Sequence, residues 1–356
     1  MIGDMGEKPS FEELTRFGIR TVDEAAHPWS ADHEWWNESW FFDWFDADGA
    51  SAGHCRIGIH PAQGRLWFWL FLFDGEDWVV LEEPRLPMSR WNEEALAYED
   101  PWGLAFSYEV GEPLRTGTLR CRGFGRVVSG PRAGQVQPVC VHLAFEAAGA
   151  AHSVGEGRVA GHSAEGLSTN RSAEGLSTDR SAEGLSSNRY EQPITGLATT
   201  QVGSESRTVE VRGERDHSWG PRWWNMEWNF LVLGDEELRL QAVHVVIPDV
   251  TEMKVGYLAL EGVTSNLAAL DYDLWFDDQA TTRAVRGRFH VKADDGRELA
   301  GSIEPVSGAE IDLSHCFVPP RRSIYRRSLV KVKIDGRPGR ILGWLESNRF
   351  PHEADT

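Results

Sequence analysis

The sequence predicts an all-β protein, and three observations carry that prediction. Short runs rich in aromatic and β-branched residues recur along the chain, punctuated by Gly, Pro and Asp, which is the pattern of strands and turns. Gly234-Asp235 and Asp294-Asp295-Gly296 each fall between two such runs and read as hairpin turns. No Gly-rich phosphate loop follows any run, so a nucleotide-binding α/β fold is set aside. Many short strands with few helices point to sandwiches or barrels.

Taken in order, the one convincing helix covers residues 11–26, with Ser10 as N-cap and Glu13 completing a capping box. Strands are predicted at 39–45, 65–73, 103–110 and 117–127. Within the first of these, Trp40, Phe42 and Trp44 share one face, while Phe41, Asp43 and Phe45 share the other. A tandem repeat then interrupts the pattern: residues 163–189 read SAEGLSTNR, SAEGLSTDR and SAEGLSSNR. Such copies are too short for a helical solenoid and too poor in apolar residues for a core, so the tract is expected to be a flexible linker. It divides the chain into an N-terminal barrel (1–150), a linker (151–189) and a C-terminal barrel (190–356). Beyond it, strands are predicted at 208–212, 225–233, 238–247, 253–260, 283–292, 298–306, 324–334 and 340–346.

Composition excludes several functions. The chain is 41% hydrophobic and 26% charged with a formal charge of −19, which suits a soluble globular protein and disfavours nucleic acid as a partner. The one basic cluster, Arg321, Arg322, Arg326, Arg327, Lys331 and Lys333, alternates with apolar residues and reads as a solvated strand edge. The longest apolar run, 66–73, is too short to span a bilayer. The N-terminus lacks the basic and apolar regions of a secretory signal. Four Cys lie far apart with no C-x-x-C spacing, so reduced, packed thiols and a cytoplasmic location are expected. The 12 His show neither H-E-x-x-H nor H-x-H spacing, and neither a metal nor a cofactor is expected.

Tryptophan is the unusual component. Ten of the 16 lie between Trp29 and Trp102, and four more between Trp219 and Trp228. Each concentration coincides with a polar cluster. In residues 213–228, GERDHSWGPRWWNMEW, a carboxylate adjoins an imidazole, a pairing suited to a general acid or base. Asp216, His217 and Glu227 are its candidate proton-transfer groups. Trp219 and Trp224 offer π faces to a developing cation or a polyene, and Arg215 and Arg222 would anchor a carboxylate or fix Asp216. The same residues also suit a structural ion pair closing a barrel, with Trp219 plugging its core. In residues 33–44, HEWWNESWFFDW, Glu38 is the best carboxylate candidate, with Asn37 and Trp40 beside it. Apolar surroundings would raise its pKa and keep it protonated, as they would for Glu227. His244 alternates with Ala242 and Val246 and is expected to point inward with them. Ser218 is not in a G-x-S-x-G elbow, so no hydrolase triad is supported.

At these residues the sequence resembles a bacterial family of tandem lipocalin-like proteins related to hydroxyneurosporene synthase, the carotenoid hydratase. The likeness rests on Tyr190-Glu191-Gln192-Pro193, Gly196 and the D-H-S-W-G-P-R run from Asp216 to Arg222 in the second half. In the first half it rests on Asn37-Glu38-Ser39-Trp40 and on residues 54–60, HCRIGIH. It covers most of the chain outside the repeats. The resemblance implies two tandem lipocalin-like antiparallel β-barrels with a ligand cavity. It also implies relatives that hydrate isolated double bonds or hold a polyene in a reactive shape. In the hydratases the D-H-x-W-G motif supplies an active-site His and Trp, here His217 and Trp219. The Tyr and Asp that they carry on a following strand have no counterpart, since residues 238–247 offer only Gln241 and His244. Asp216, Glu227 or Glu38 would then supply the proton. The expected function is a cofactor-independent hydratase (a lyase), isomerase or cyclase acting on a hydrophobic terpenoid- or polyketide-like small molecule. The alternative is a non-catalytic lipocalin-type carrier of a lipophilic ligand.

Overall fold

The structure, a computed structural model, describes residues 9–30, 33–153, 188–222, 224–248, 251–277, 283–316 and 321–350. Residues 163–187 of the repeats, and the predicted linker apart from residues 151–153 and 188–189, lie outside the described residues.

The chain is almost entirely β, as its strand-like runs require. The predicted helix shrinks to α1, Phe11–Thr15. Its N-cap stands as expected, with the Ser10 hydroxyl accepting from the Glu13 amide at 3.2 Å. It ends because Gly18 takes φ +86°, a left-handed turn that breaks the ladder. A 3-10 turn, Thr21–Glu24, follows. Among the described residues, no helix is long and apolar enough to cross a membrane.

Twelve strands form the first unit. They are β1 (Trp36–Phe45), β2 (Ala52–His60), β3 (Arg65–Phe73), β4 (Trp78–Pro87), β5 (Trp91–Asn92), β6 (Ala97–Glu99), β7 (Ala105–Val110), β8 (Thr116–Ser129), β9 (Val136–Ala147), β10 (His152–Ser153), β11 (Asn188–Val202) and β12 (Glu205–Pro221). The order β11-β12-β1-β2-β3-β4-β8 is closed into a ring by β9, which pairs with both β8 and β11. The interior is filled from alternate positions, including Trp40, Phe42, Trp44, Ile57, Phe68, Leu70, Leu119, Leu143 and Ile194, as strand periodicity demands. Cys55 and Cys121 meet in this core with their sulfurs 3.8 Å apart. Cys316 is buried too, but Cys140 is exposed, against the expectation of four packed thiols.

The second unit is a closed eight-stranded antiparallel barrel. Its strands are β13 (Glu227–Gly234), β14 (Leu238–Ile247), β15 (Thr251–Leu260), β16 (Val263–Phe276), β17 (Ala284–Ala293), β18 (Glu298–Asp312), β19 (Ile324–Ile334) and β20 (Ile341–Arg349). The two predicted hairpins join β13 to β14 and β17 to β18. Leu231, Leu233, Leu240, Val291, Val330 and Leu345 are among the residues that fill it.

The boundary expected at residue 190 falls instead at 221. Residues 188–220 belong with the first unit, because β11 pairs along its length with both β9 and β12. Strands β10 and β11, which flank the repeats, pair with each other. The low-complexity tract therefore marks an insertion within one sheet. The basic edge also needs amendment. Arg321, Arg322, Lys331 and Lys333 are exposed, but Arg327 is fully buried and ion-paired to Glu346 at 2.6 Å.

One glycine fixes how closely β12 approaches β1. A Cβ on Gly213 would sit 1.9 Å from the carbonyl oxygen of Asp43. Gly213→Ala is expected to cost about 2 kcal/mol or more by overpacking, read as a lowered urea midpoint.

Candidate active site

Strand alternation builds the site. On β1, Trp36, Glu38 and Trp40 share the face that carries Phe42 and Trp44 into the core. On β12, Arg215, His217 and Trp219 share one face, and Glu214, Asp216 and Ser218 the other. The segment between α1 and β1 lies over these residues. Ile19 packs with Tyr190 and Trp219, and the 3-10 turn brings Asp23, Glu24 and His27 to the same place.

Glu38 is the centre. Its Oε1 lies 2.9 Å from His217 Nε2 and 2.8 Å from His27 Nδ1, and the His27 amide donates to both carboxylate oxygens at 3.0 and 3.1 Å. His217 Nδ1 lies 2.8 Å from the Asp23 carbonyl oxygen, which can only accept, so Nδ1 carries a proton. Rings enclose the group. His27 stacks on Trp219 at 3.8 Å and 5°, and Trp40 on His217 at 4.8 Å and 19°.

The electrostatics correct one expectation. Burial alone would push the Glu38 carboxyl up, but hydrogen bonds from His217 and His27 bring it below the ordinary carboxylate range. Glu38 is therefore an ionised acceptor, not the protonated donor that apolar surroundings suggested.

A second buried carboxylate anchors the turn that holds His217. Glu24 is ion-paired with Arg215 and accepts from the Tyr190 hydroxyl at 2.7 Å and the Tyr108 hydroxyl at 3.0 Å. Arg215 Nε also donates to Gln192 Oε1 at 2.9 Å. Burial opposes ionisation of Glu24, yet the Arg215 guanidinium holds it below its ordinary value. Burial, with Glu24 beside them, raises both tyrosines.

The structure thus brings Glu38, His217, Trp219 and Trp40 together and separates others from them. Asp216 does not orient His217: neighbours in a strand point to opposite faces, and Asp216 accepts from Arg189 Nη2 at 2.8 Å. Arg215 pairs with Glu24 and not with Asp216. Asn37, also on the opposite face of β1, accepts from Arg56 Nη2 at 2.7 Å. The remaining candidates belong to the second unit. There the Arg222 guanidinium lies 5.4 Å over the Trp224 ring, and Glu227 accepts from the Phe350 amide at 2.7 Å. His244, half-buried on β14, lies 2.8 Å from the exposed Glu252; burial lowers its pKa.

Sequence reasoning missed Glu24 and His27. Glu24 fell near the end of the predicted helix with no motif around it, and the His27-Pro28 dipeptide carries no signal beyond a histidine ahead of the first strand. His27, Glu38 and His217 are also where metal-capable groups converge among the described residues, with one ligand atom from each within 4.8 Å of the others. Here those atoms are engaged with one another, His27 Nδ1 and His217 Nε2 both facing Glu38 Oε1.

Comparison with known proteins adds the fold's relatives. CghA matches with a TM-score of 0.57 at 13% identity, over 89% of this chain and 88% of its own. A Nitrosomonas europaea protein assigned as an AttH matches at 0.57 and 15%, over 97% and 98%. Kievitone hydratase from Nectria haematococca matches at 0.57 and 11%, over 97% of each chain. At these identities the likeness establishes a shared fold. Compared by sequence with curated proteins, the chain matches none. Residues 20–351 match the model of a domain of unknown function, DUF7064, and the chain belongs to that family.

Proposed function

We propose that the chain is a cofactor-independent enzyme of the hydratase, isomerase or cyclase type. It moves a proton on a hydrophobic, terpenoid- or polyketide-like molecule within the first unit. One observation carries the reading: a fully buried carboxylate is clamped between two imidazoles that are themselves stacked on tryptophans. A histidine and carboxylate held this way suit general acid–base work, and indole faces suit a polyene or a developing cation. The fold shared with kievitone hydratase and CghA supports the same class.

The test uses a panel of isoprenoids and polyketides with product detection by mass spectrometry. Glu38→Gln is expected to lower turnover by about a hundredfold or more, while the same compounds still quench tryptophan fluorescence. Parental turnover in a folded Glu38→Gln variant would exclude the reading. Binding of the panel without any product would instead favour a carrier.

A further inference from the structure

The proposed reaction needs an atom that can meet the substrate and give up or take a proton there. His217 does not offer one: its side chain is 1% exposed, and both ring nitrogens are engaged, at 2.8 and 2.9 Å. Glu38 is 0% exposed and accepts from both rings. His27 differs. Its side chain is 16% exposed, its Nδ1 is bound to Glu38, and among the described residues its Nε2 has no hydrogen-bond partner.

We infer that His27 Nε2 is the atom that exchanges the proton with the substrate, and that His217 is a positioning residue. This rests on the acid–base reading above and names the group within it. A carboxylate can only accept, so Nδ1 of His27 carries a proton, and in the neutral ring the lone pair is on Nε2. A carboxylate bound to Nδ1 both fixes that tautomer and stabilises the imidazolium formed when Nε2 takes a proton. The parallel Trp219 ring, 3.8 Å away, supplies a further face to that cation. His217 acts through Glu38, since its hydrogen bond helps hold that carboxyl below the ordinary range. In a hydration, the imidazolium gives its Nε2 proton to one carbon of the double bond, and Nε2 takes a proton back from the water as the new C–O bond forms at the other carbon. In an isomerisation, it takes a proton from one carbon and returns it to another. Either cycle leaves the proton count unchanged and requires no other reactant.

Two measurements test this without the natural substrate. Diethyl pyrocarbonate modifies unprotonated, reachable imidazole nitrogens, and peptide mass spectrometry locates the adducts. His27 is expected to be modified fully before any adduct appears on His217. The second is elimination of 5-nitrobenzisoxazole, in which a base removes the ring C–H, the nitrile forms and the N–O bond opens to a phenolate. His27→Phe keeps a ring on Trp219 and the backbone amide to Glu38 but removes the base. It is expected to lower the elimination rate by about tenfold or more. Earlier modification of His217, or a parental rate in a folded His27→Phe protein, would overturn the assignment to His27 while leaving the acid–base reading in place. No elimination by the parent protein above that of free imidazole would overturn both.

Discussion

Arg215→Met is expected to destabilise the protein by about 3–5 kcal/mol, the cost of breaking one partner out of a buried ion pair. Arg215 and Glu24 are both buried, at 3% and 3% exposure, so water cannot replace the lost partner. The Tyr108 and Tyr190 hydroxyls would still donate to Glu24, but neutral donors do not balance a buried charge. Gln192 would also lose the guanidinium that its Oε1 accepts from. Chemical denaturation of parent and variant at neutral pH measures the difference. The double variant Glu24→Leu with Arg215→Met is expected to recover much of the loss, because it buries no unpaired charge. A single-variant loss under about 1 kcal/mol, the range of exposed pairs, would mean that solvent reaches Glu24. The same variant also reports on the site, since Glu24 anchors the residue next to the Asp23 carbonyl that holds His217.

Glu191→Gln is expected to act in the opposite direction and to raise stability at neutral pH. Glu191 is fully buried and sits opposite Asp216 in the β11–β12 register. Burial, with Asp216 and Asp43 nearby, pushes its carboxyl well above the ordinary range despite Arg189. The folded chain therefore binds a proton there that the unfolded chain has released. That contribution is fully present below the unfolded carboxylate value and is lost as pH rises through the folded value. Gln resembles the protonated form, so the gain should be largest at neutral pH and fade in acid. Glu24 and Glu38 run the other way, because both are held below their ordinary values. Their contribution is present above the unfolded carboxylate value and is lost as pH falls through the folded ones. Urea midpoints across pH, with and without Glu191→Gln, separate the two trends. A variant less stable than the parent at neutral pH would show Glu191 to be ionised and usefully paired.

Much of the fold was legible because alternation and β-branched runs report directly on buried strands. Residues 65–73, 238–247 and 324–334 form strands with the predicted bounds. The longer strands that escaped notice, β2, β4, β9, β11 and β16, mix Gly, Pro, His or charged residues into their runs and so lack a clean pattern. The repeats misled for a different reason: composition identifies an insertion but not whether it separates domains or interrupts a sheet. Within the site, Glu38, His217, Trp219 and Trp40 stood out as chemistry-bearing types beside aromatic residues. Their pairing did not, because neighbours in sequence suggested Asp216 for His217, whereas a strand turns the two apart. The true partner lies 179 residues away, a distance over which one sequence carries no pairing signal.

That distance also orders events during synthesis. Glu24 and Glu38 leave the ribosome long before Arg215 and His217, which lie 191 and 179 residues downstream in their respective pairs. At about 5–20 residues per second, the interval is roughly ten to forty seconds. Until β11 is made β9 lacks its partner, and until β12 follows β1 has nothing to close against. The nascent first unit must wait as an open sheet, its acidic groups still hydrated and its edges unpaired. It is in that interval, before the last strand arrives, that the chain is most exposed to misassociation and has most to gain from a chaperone.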